Sequence, residues 1–500
     1  MVKATRRSAV LLGVAAIGLL AASGPSFAEV QNVKVGGDVT IRSFWRKNLD
    51  LNQEGCNTGA AACTVGDASG AGATPLEGDA FFMTTTGINI GADLTENVSA
   101  FIRLANERDW AQDGGATGDI DISQAYVTLK ELFYSPLTVR IGTQPIVWGR
   151  GFILGSNLLP SVLSGIGAGN DRNTAITANE FTDFTAFDAL RATLDLSSVA
   201  NVPVTLDAVY IKLDENTPGI GDDSNIMGFN LGTKLDAMNS EFEAYFLNKR
   251  DKNGNALAAG PALAPGSGEN GSVNTLGIRG SAKPVEGASV YGELAYQFGK
   301  RTPGYDAEIH PTGDATHGWA VDLGTDYTLD VATKPKLGGE WIYYSGTDNA
   351  GAQTGWDPIA PSYFPTLLRS FQTRSTAAGL YPVDQPGVPS AYTNQHELAL
   401  YGSFKPIEDL TIAPRLSWFI ADVPIKQPPI ATLAQTGRNR FLGTEWDTRV
   451  TYDYTDDVQF GLAYGLFLPG NVFRNTINVG AVSGNDSHAQ ELITSVSVKF

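Results

Sequence analysis

Charged residues recur on alternate positions of short segments whose other positions are apolar. One parity carries Arg42, Arg103, Arg140, Arg191, Arg279, Arg415 and Arg449, together with Asp207, Glu243, Glu293, Asp322, Asp326, Glu340, Glu397, Glu445 and Asp447. Period-two spacing places such residues on one face of a sheet. Guanidinium and carboxylate groups lining a wet face can orient solutes and decide which of them pass. The same charges can instead pair with one another and merely stabilise the wall, and for any one residue that alternative stays open.

Signals for covalent chemistry are poor. The four histidines (His310, His317, His396 and His488) are scattered without metal-ligand spacing, and no nucleophile-elbow, Walker, dinucleotide or haem-attachment pattern occurs. No catalytic residue, metal or cofactor is therefore expected. A hydrolase carried on this scaffold would need a Ser or an acid beside one of the histidines. The two cysteines, Cys56 and Cys63, enclose six residues. In an oxidising compartment that spacing favours a local disulfide over a metal site. The run Trp148-Gly149-Arg150-Gly151-Phe152-Ile153-Leu154-Gly155 is Gly-rich and apolar. It could fold into an enclosed space, placing Arg150 in the path of a solute, or lie over the mouth.

The charged positions must be held by strands. Eighteen segments of about ten residues alternate apolar with polar, running from 35–46, 80–92 and 97–108 through 409–421, 441–454, 457–468 and 488–500. Numbered from the first, every even-to-odd connection is short: 93–96, 131–135, 197–201, 237–239, 284–286, 330–333, 406–408 and 455–456. They are built from turn formers such as Asn239-Ser240, Pro406 and Asp456-Asp457. The odd-to-even connections are longer, and 47–79, 148–181 and 346–392 are very long. Segregation of loop length by parity is the mark of a single transmembrane antiparallel β-barrel with short periplasmic turns and long extracellular loops. A soluble sandwich or propeller has no reason for it. An even strand count places both termini on the periplasmic side.

The ends agree. Lys3, Arg6 and Arg7 precede the apolar run Val10–Ala22, and Ser26-Phe27-Ala28 fits a small-x-small cleavage site. We therefore expect a signal peptide over 1–28 and one barrel domain over 29–500. Beyond the leader no stretch approaches the about 18 apolar residues of a membrane-spanning helix. Loss of the leader's three positive charges moves the formal net charge from −18 to about −21, which argues against a nucleic-acid partner.

Clean alternation assigns faces. In 97–108, Val98, Ala100, Ile102 and Leu104 face lipid while Phe101 and Arg103 face inward. In 409–421, Leu410, Ile412, Leu416, Trp418 and Ile420 face out and Arg415 in. In 457–468, the outward set is Val458, Phe460, Leu462, Tyr464, Leu466 and Leu468. Trp45, Trp148, Trp319, Trp341, Trp418 and Trp446 lie near strand ends, as an interfacial girdle requires. Closure sets Arg42, Arg103, Arg140, Arg415 and Arg449 on neighbouring walls, with most acids opposite, so a transverse field is expected across the lumen. The last strand, Leu492, Thr494, Val496, Val498 and Phe500 on one face, resembles the signal read by the barrel-assembly machinery.

Two stretches resemble a known family. Ile122–Lys130 and Leu137–Gln144 (ISQAYVTLK and LTVRIGTQ) are similar to the Q-A-Y-V-x-L … L-x-V-R-x-G-x-Q pattern of the alginate-export family. Leu442–Asp447 and Tyr464–Gly470 (LGTEWD and YGLFLPG) are similar to its L-G-x-E-x-D … Y-G-x-F-x-P-G pattern. The resemblance implies an 18-stranded outer-membrane barrel with an Arg-rich lumen that passes an anionic polysaccharide. It also implies that Arg140, Gln144, Glu445 and Asp447 face that lumen. The family's Arg-Gln pair reads Thr143-Gln144 here, one cation fewer.

The reading that follows is a porin-like, non-enzymatic channel in the outer membrane of a Gram-negative bacterium. Its lumen would pass hydrophilic solutes such as sugars, oligosaccharides or small organic ions by diffusion. The pore-lining set is Arg42, Arg103, Arg140, Gln144, Arg150, Arg415, Glu445, Asp447 and Arg449. The alternatives are an export pore for an anionic exopolysaccharide working with periplasmic partners, and a structural sleeve around such a partner.

Overall fold

In the computed structural model, the described residues are 32–49, 77–110, 120–134, 136–156, 178–214, 223–251, 271–300, 315–346, 354–363, 365–371, 392–425, 439–474 and 488–500. The expected leader at 1–28, Cys56, Cys63 and His310 lie outside them.

Eighteen strands form: β1 Asn32–Lys47, β2 Glu77–Thr95, β3 Val98–Asp109, β4 Asp121–Leu129, β5 Leu137–Gln144, β6 Phe187–Asp195, β7 Val204–Asp214, β8 Ser224–Leu235, β9 Ser240–Asp251, β10 Gly271–Ala282, β11 Ala288–Lys300, β12 Ala315–Thr328, β13 Lys336–Tyr344, β14 Gln395–Ile407, β15 Leu410–Ile425, β16 Asn439–Asp453, β17 Val458–Pro469 and β18 Ala489–Lys499. Each coincides with one of the expected segments. Every strand pairs antiparallel with its sequence neighbours, and β1 pairs with β18 from Asp38↔Lys499 to Lys47↔Gln490. The sheet therefore closes and leaves no unpaired edge, as a structure immersed in hydrocarbon must. Among the described residues no helix is long and apolar enough to span a membrane.

The eight even-to-odd connections gather at one rim and are short, from Glu96-Asn97 between β2 and β3 to 196–203 between β6 and β7. Both ends of the described chain lie at this rim, where Gly37 and Phe500 exchange two backbone hydrogen bonds of 2.8 and 3.0 Å. The faces follow the alternation. In β3, Arg103 is buried while Ile102 is exposed; in β15, Arg415 is buried between flanking outward side chains.

A device with little sequence signature shapes the inner wall. Tyr245, Tyr291 and Tyr401 each stand directly across from a glycine on the adjacent strand: Gly277, Gly324 and Gly338. A Cβ at any of these glycines would collide with the opposing ring. The rings thus lie flat over the neighbouring backbone, an arrangement that restores packing a strand glycine forfeits. It aims their hydroxyls at Glu293 (2.7 Å), Glu340 (2.8 Å) and Asp326 (3.3 Å).

Candidate functional site

Two connections do not stay outside. Residues 145–156, after β5, and 354–363 with 365–371, after β13, fold into the lumen. There Ile146, Trp148, Phe152, Leu154, Trp356, Ile359 and Ala360 share a buried apolar cluster with wall residues Ile211, Ile226, Leu247 and Tyr344. The two segments are joined by backbone hydrogen bonds, from Gly155 N–H to Ala360 O at 2.7 Å, Ala360 N–H to Ile153 O at 3.1 Å and Ser362 N–H to Gly151 O at 2.7 Å. The glycines of the 148–155 run are needed for this approach. Side chains at Gly151 or Gly155 would meet Ser362 Oγ, and Gly151 also holds a φ of +77°. That run therefore enters the lumen instead of covering the mouth.

The inserted segments dock by charge. Arg150 Nη1 donates to Asp322 Oδ2 at 2.9 Å, and Nη2 donates to Glu340 Oε1 at 3.1 Å and to the Tyr363 hydroxyl at 2.6 Å. Its guanidinium lies between the Tyr291 and Tyr363 rings, 3.9 and 4.3 Å from their centroids. Burial works against the charge on Arg150, but Tyr363, Asp322 and Glu340 around it raise its pKa above the usual arginine value. Tyr363 is pushed up by burial and by Glu340, so its hydroxyl stays protonated and donates to Glu340 Oε1 at 2.7 Å.

Glu340 is the hub of this side. Besides Arg150, Tyr291 and Tyr363, it accepts from Arg415 Nη2 at 2.7 Å, and Arg415 also reaches Glu397 at 2.6 Å. Further along the wall, backbone N–H groups do the holding. Gly149 donates to Glu243 at 3.1 Å, Leu368 and Arg369 donate to the two oxygens of Glu445 at 2.6 and 2.8 Å, and Leu367 donates to Asp447 at 3.4 Å. Trp148 Nε1 donates to Asp207 at 3.0 Å. That indole is buried in the lumen and so is no part of an outer girdle, whereas Trp319 and Trp446 are exposed on the outer face.

The returning limb of the same connection, residues 178–186, carries the opposite charge to the opposite wall. Glu180 pairs with Arg46, which also holds Glu491 at 2.8 Å. Asp183 takes Arg103 in a two-pronged contact of 2.8 and 3.1 Å, and Arg103 is further held by Asp38 at 2.7 Å. Glu107 receives Thr182 Oγ1 at 2.8 Å and the backbone N–H of Asp183. The charge split across the lumen thus acts as a docking frame. A limb bearing a cation meets the acids, and a limb bearing carboxylates meets the arginines.

Most inward charges are consumed in this way. Arg191 pairs with Asp207 at 2.8 Å and Arg279 with Glu243 at 2.7 Å. Gln144 points inward but is fully buried, its amide capping the carbonyls of Arg140, Gly142 and Ala189. Three arginines are different. Arg42 donates to Thr85 Oγ1 at 3.3 Å under the ring of Phe181, Arg140 donates to Thr128 Oγ1 at 3.3 Å beside Tyr126, and Arg449 donates to Pro365 O at 3.1 Å. Among the described residues none of the three has a carboxylate within ion-pair distance, and all are partly exposed. They stand on β1, β5 and β16, on one arc of the barrel.

Among the described residues, His317 and His396 are bonded to groups of the wall. His396 Nε2 lies 3.5 Å from Asp422 and its Nδ1 accepts from Trp341 at 3.3 Å, while His317 Nδ1 is 2.9 Å from the Tyr296 hydroxyl. Both stack on tyrosines of the wall, His317 on Tyr296 and His396 on Tyr343. Among the described residues no Ser hydroxyl is bonded to either ring, and no cluster of three metal-capable side chains occurs.

Solved structures similar to this fold are outer-membrane barrels. OccK2 (OpdF) of Pseudomonas aeruginosa, in complex with glucuronate, aligns over 94% of this chain and 98% of its own at 10% identity with a TM-score of 0.50. OccK11 (OpdR) of the same organism aligns over 93% and 96% at 9% identity with a TM-score of 0.47. Comparison with curated proteins returns no match. A sequence profile described as alginate export matches residues 100–483, which spans most of the strands and all three inserted limbs. With the closed 18-strand barrel and its polar lumen, that match places the chain in the alginate export family of outer-membrane β-barrel channels.

Proposed function

We propose that this outer-membrane channel passes small hydrophilic anions by diffusion along the arc lined by Arg42, Arg140 and Arg449. One observation carries the reading: these arginines keep accessible charge, while Asp322 on the opposite wall and Glu445 on β16 beside Arg449 are engaged by the inserted segments. Transport needs no chemical step. A guanidinium stacked on an aromatic ring presents its N–H fork edge-on, suited to planar oxyanions. Arg103, Arg150, Arg415, Glu445 and Asp447 act in this scheme by holding the inserted segments, and Gln144 by capping backbone beside Arg140.

Passage of glucuronate, a sugar carrying one carboxylate, tests the reading. Replacing chloride by glucuronate should sustain a measurable single-channel current. Arg140→Gln and Arg449→Gln should each reduce it several-fold. Undiminished current in both variants would remove these arginines from the path. The family match favours a second reading, export of an anionic polysaccharide, which requires the inserted segments to leave the lumen during passage.

The short-turn rim is read as periplasmic, so both termini face the periplasm. The last strand, with Phe500 exposed, is the segment offered to the assembly machinery. With residues 1–28 as the leader, 29–500 is one barrel domain; Cys56 and Cys63, the candidates for a local disulfide, lie outside the described residues.

A further inference from the structure

The inward acids outnumber the inward arginines, so the wall's composition by itself describes a lumen that attracts cations. The inserted segments reverse this. Glu445 and Asp447 are 0% and 1% exposed beneath Leu367–Arg369, both oxygens of Glu445 and Oδ2 of Asp447 facing backbone N–H groups. Asp322 and Glu340 are 1% and 5% exposed beneath Arg150.

We infer that docking of residues 145–156 and 354–371 sets the sign of this channel's ion selectivity, by withdrawing the acidic wall from the permeation path. The inference rests on the anion reading above. It also goes beyond it, because it names the determinant as a docking contact and not as a pore-lining charge.

The second segment cannot act by adding charge. Residues 354–371 contain one acid, Asp357, and one base, Arg369, so their net charge is zero. What they contribute is backbone N–H groups, the Tyr363 hydroxyl on Glu340 and cover. The two segments dock as one body through the Gly155–Ala360 and Ser362–Gly151 hydrogen bonds, so loss of either loosens the other.

The experiment is the reversal potential in a salt gradient for intact protein, for a variant in which 354–371 is replaced by a short Gly-Ser bridge, and for the same variant carrying Arg150→Gln. Docking control predicts an anion-selective parent, a charge-neutral deletion shifted toward cations, and a double variant whose reversal potential has the opposite sign. A deletion that keeps the parent's potential overturns the inference and leaves the anion reading standing. A cation-selective parent overturns both.

Should the deletion not fold, Glu445→Gln with Asp447→Asn in the intact chain decides. Each amide keeps one oxygen that can accept a backbone N–H, one of the two at position 445 and that of Leu367 at position 447, and removing two hidden charges should leave the potential unchanged. A shift toward anions as large as the opposite shift from Arg140→Gln would show that these acids already face the path.

Discussion

Glu340→Ala removes the single carboxylate on which two arginines and two tyrosines converge, at 2.7 to 3.1 Å. Breaking a buried ion pair by deleting one partner costs about 3–5 kcal/mol, because the remaining charge is left in a poor solvent. Here each arginine retains a second acid, Asp322 for Arg150 and Glu397 for Arg415, which draws the ionic part toward the lower bound. The two tyrosine hydroxyls add about 1 kcal/mol each if they find no other acceptor. A loss of about 3–5 kcal/mol is expected. Urea unfolding in lipid vesicles, followed by tryptophan fluorescence, measures it directly, since Trp148 and Trp356 are buried in the same cluster. Single-channel records should also grow noisier as the inserted segments loosen. A variant within about 0.5 kcal/mol of the parent, the range of an ordinary surface substitution, would refute the claim that Glu340 anchors the lumen.

Gly324→Ala places a methyl group against the Tyr291 ring and should cost about 1–3 kcal/mol by overpacking; Gly324→Ala combined with Tyr291→Ala should recover part of that loss in the same urea titration. Tyr363 has a raised pKa, so its contribution to docking is complete below the unfolded tyrosine value of about 10 and fades only at still higher pH. Conductance should therefore be level up to about pH 10, and a transition centred there would show an exposed phenol. Asp183→Asn weakens the two-pronged contact to Arg103. It should cost roughly 1–3 kcal/mol and raise anion selectivity by freeing part of that guanidinium; an unchanged reversal potential would place Arg103 out of reach of permeant ions.

Strand alternation made the barrel legible, because every lipid-facing residue needs an apolar side chain and every turn needs residues that reverse the chain. β17 is an example, with Val458, Phe460 and Leu462 out and Gly461 and Ala463 in. The same parity placed Arg42, Arg103, Arg140 and Arg449 on one arc. It also grouped Arg415 with them, whereas Arg415 is turned into the acids Glu340 and Glu397. The partners of the inner wall were not legible for a physical reason. Glu340 is bonded by Arg150 and Tyr363, which come from irregular segments about 190 and 23 residues away in sequence, and no periodicity connects them. Glu445 and Asp447 are held by backbone N–H groups, which every residue possesses and which leave no compositional trace. The Gly-rich run at Trp148–Gly155 did signal a close approach, and the tyrosine–glycine pairs were visible only once the register was known.

The zero-current potential of the intact single channel across a tenfold potassium chloride gradient tests most directly whether the arginine arc governs the lumen. Accessible arginines facing hidden acids predict a potential on the chloride side, falling toward zero in Arg140→Gln. A potential on the potassium side would mean that the acidic wall, and not the arginine arc, governs the lumen.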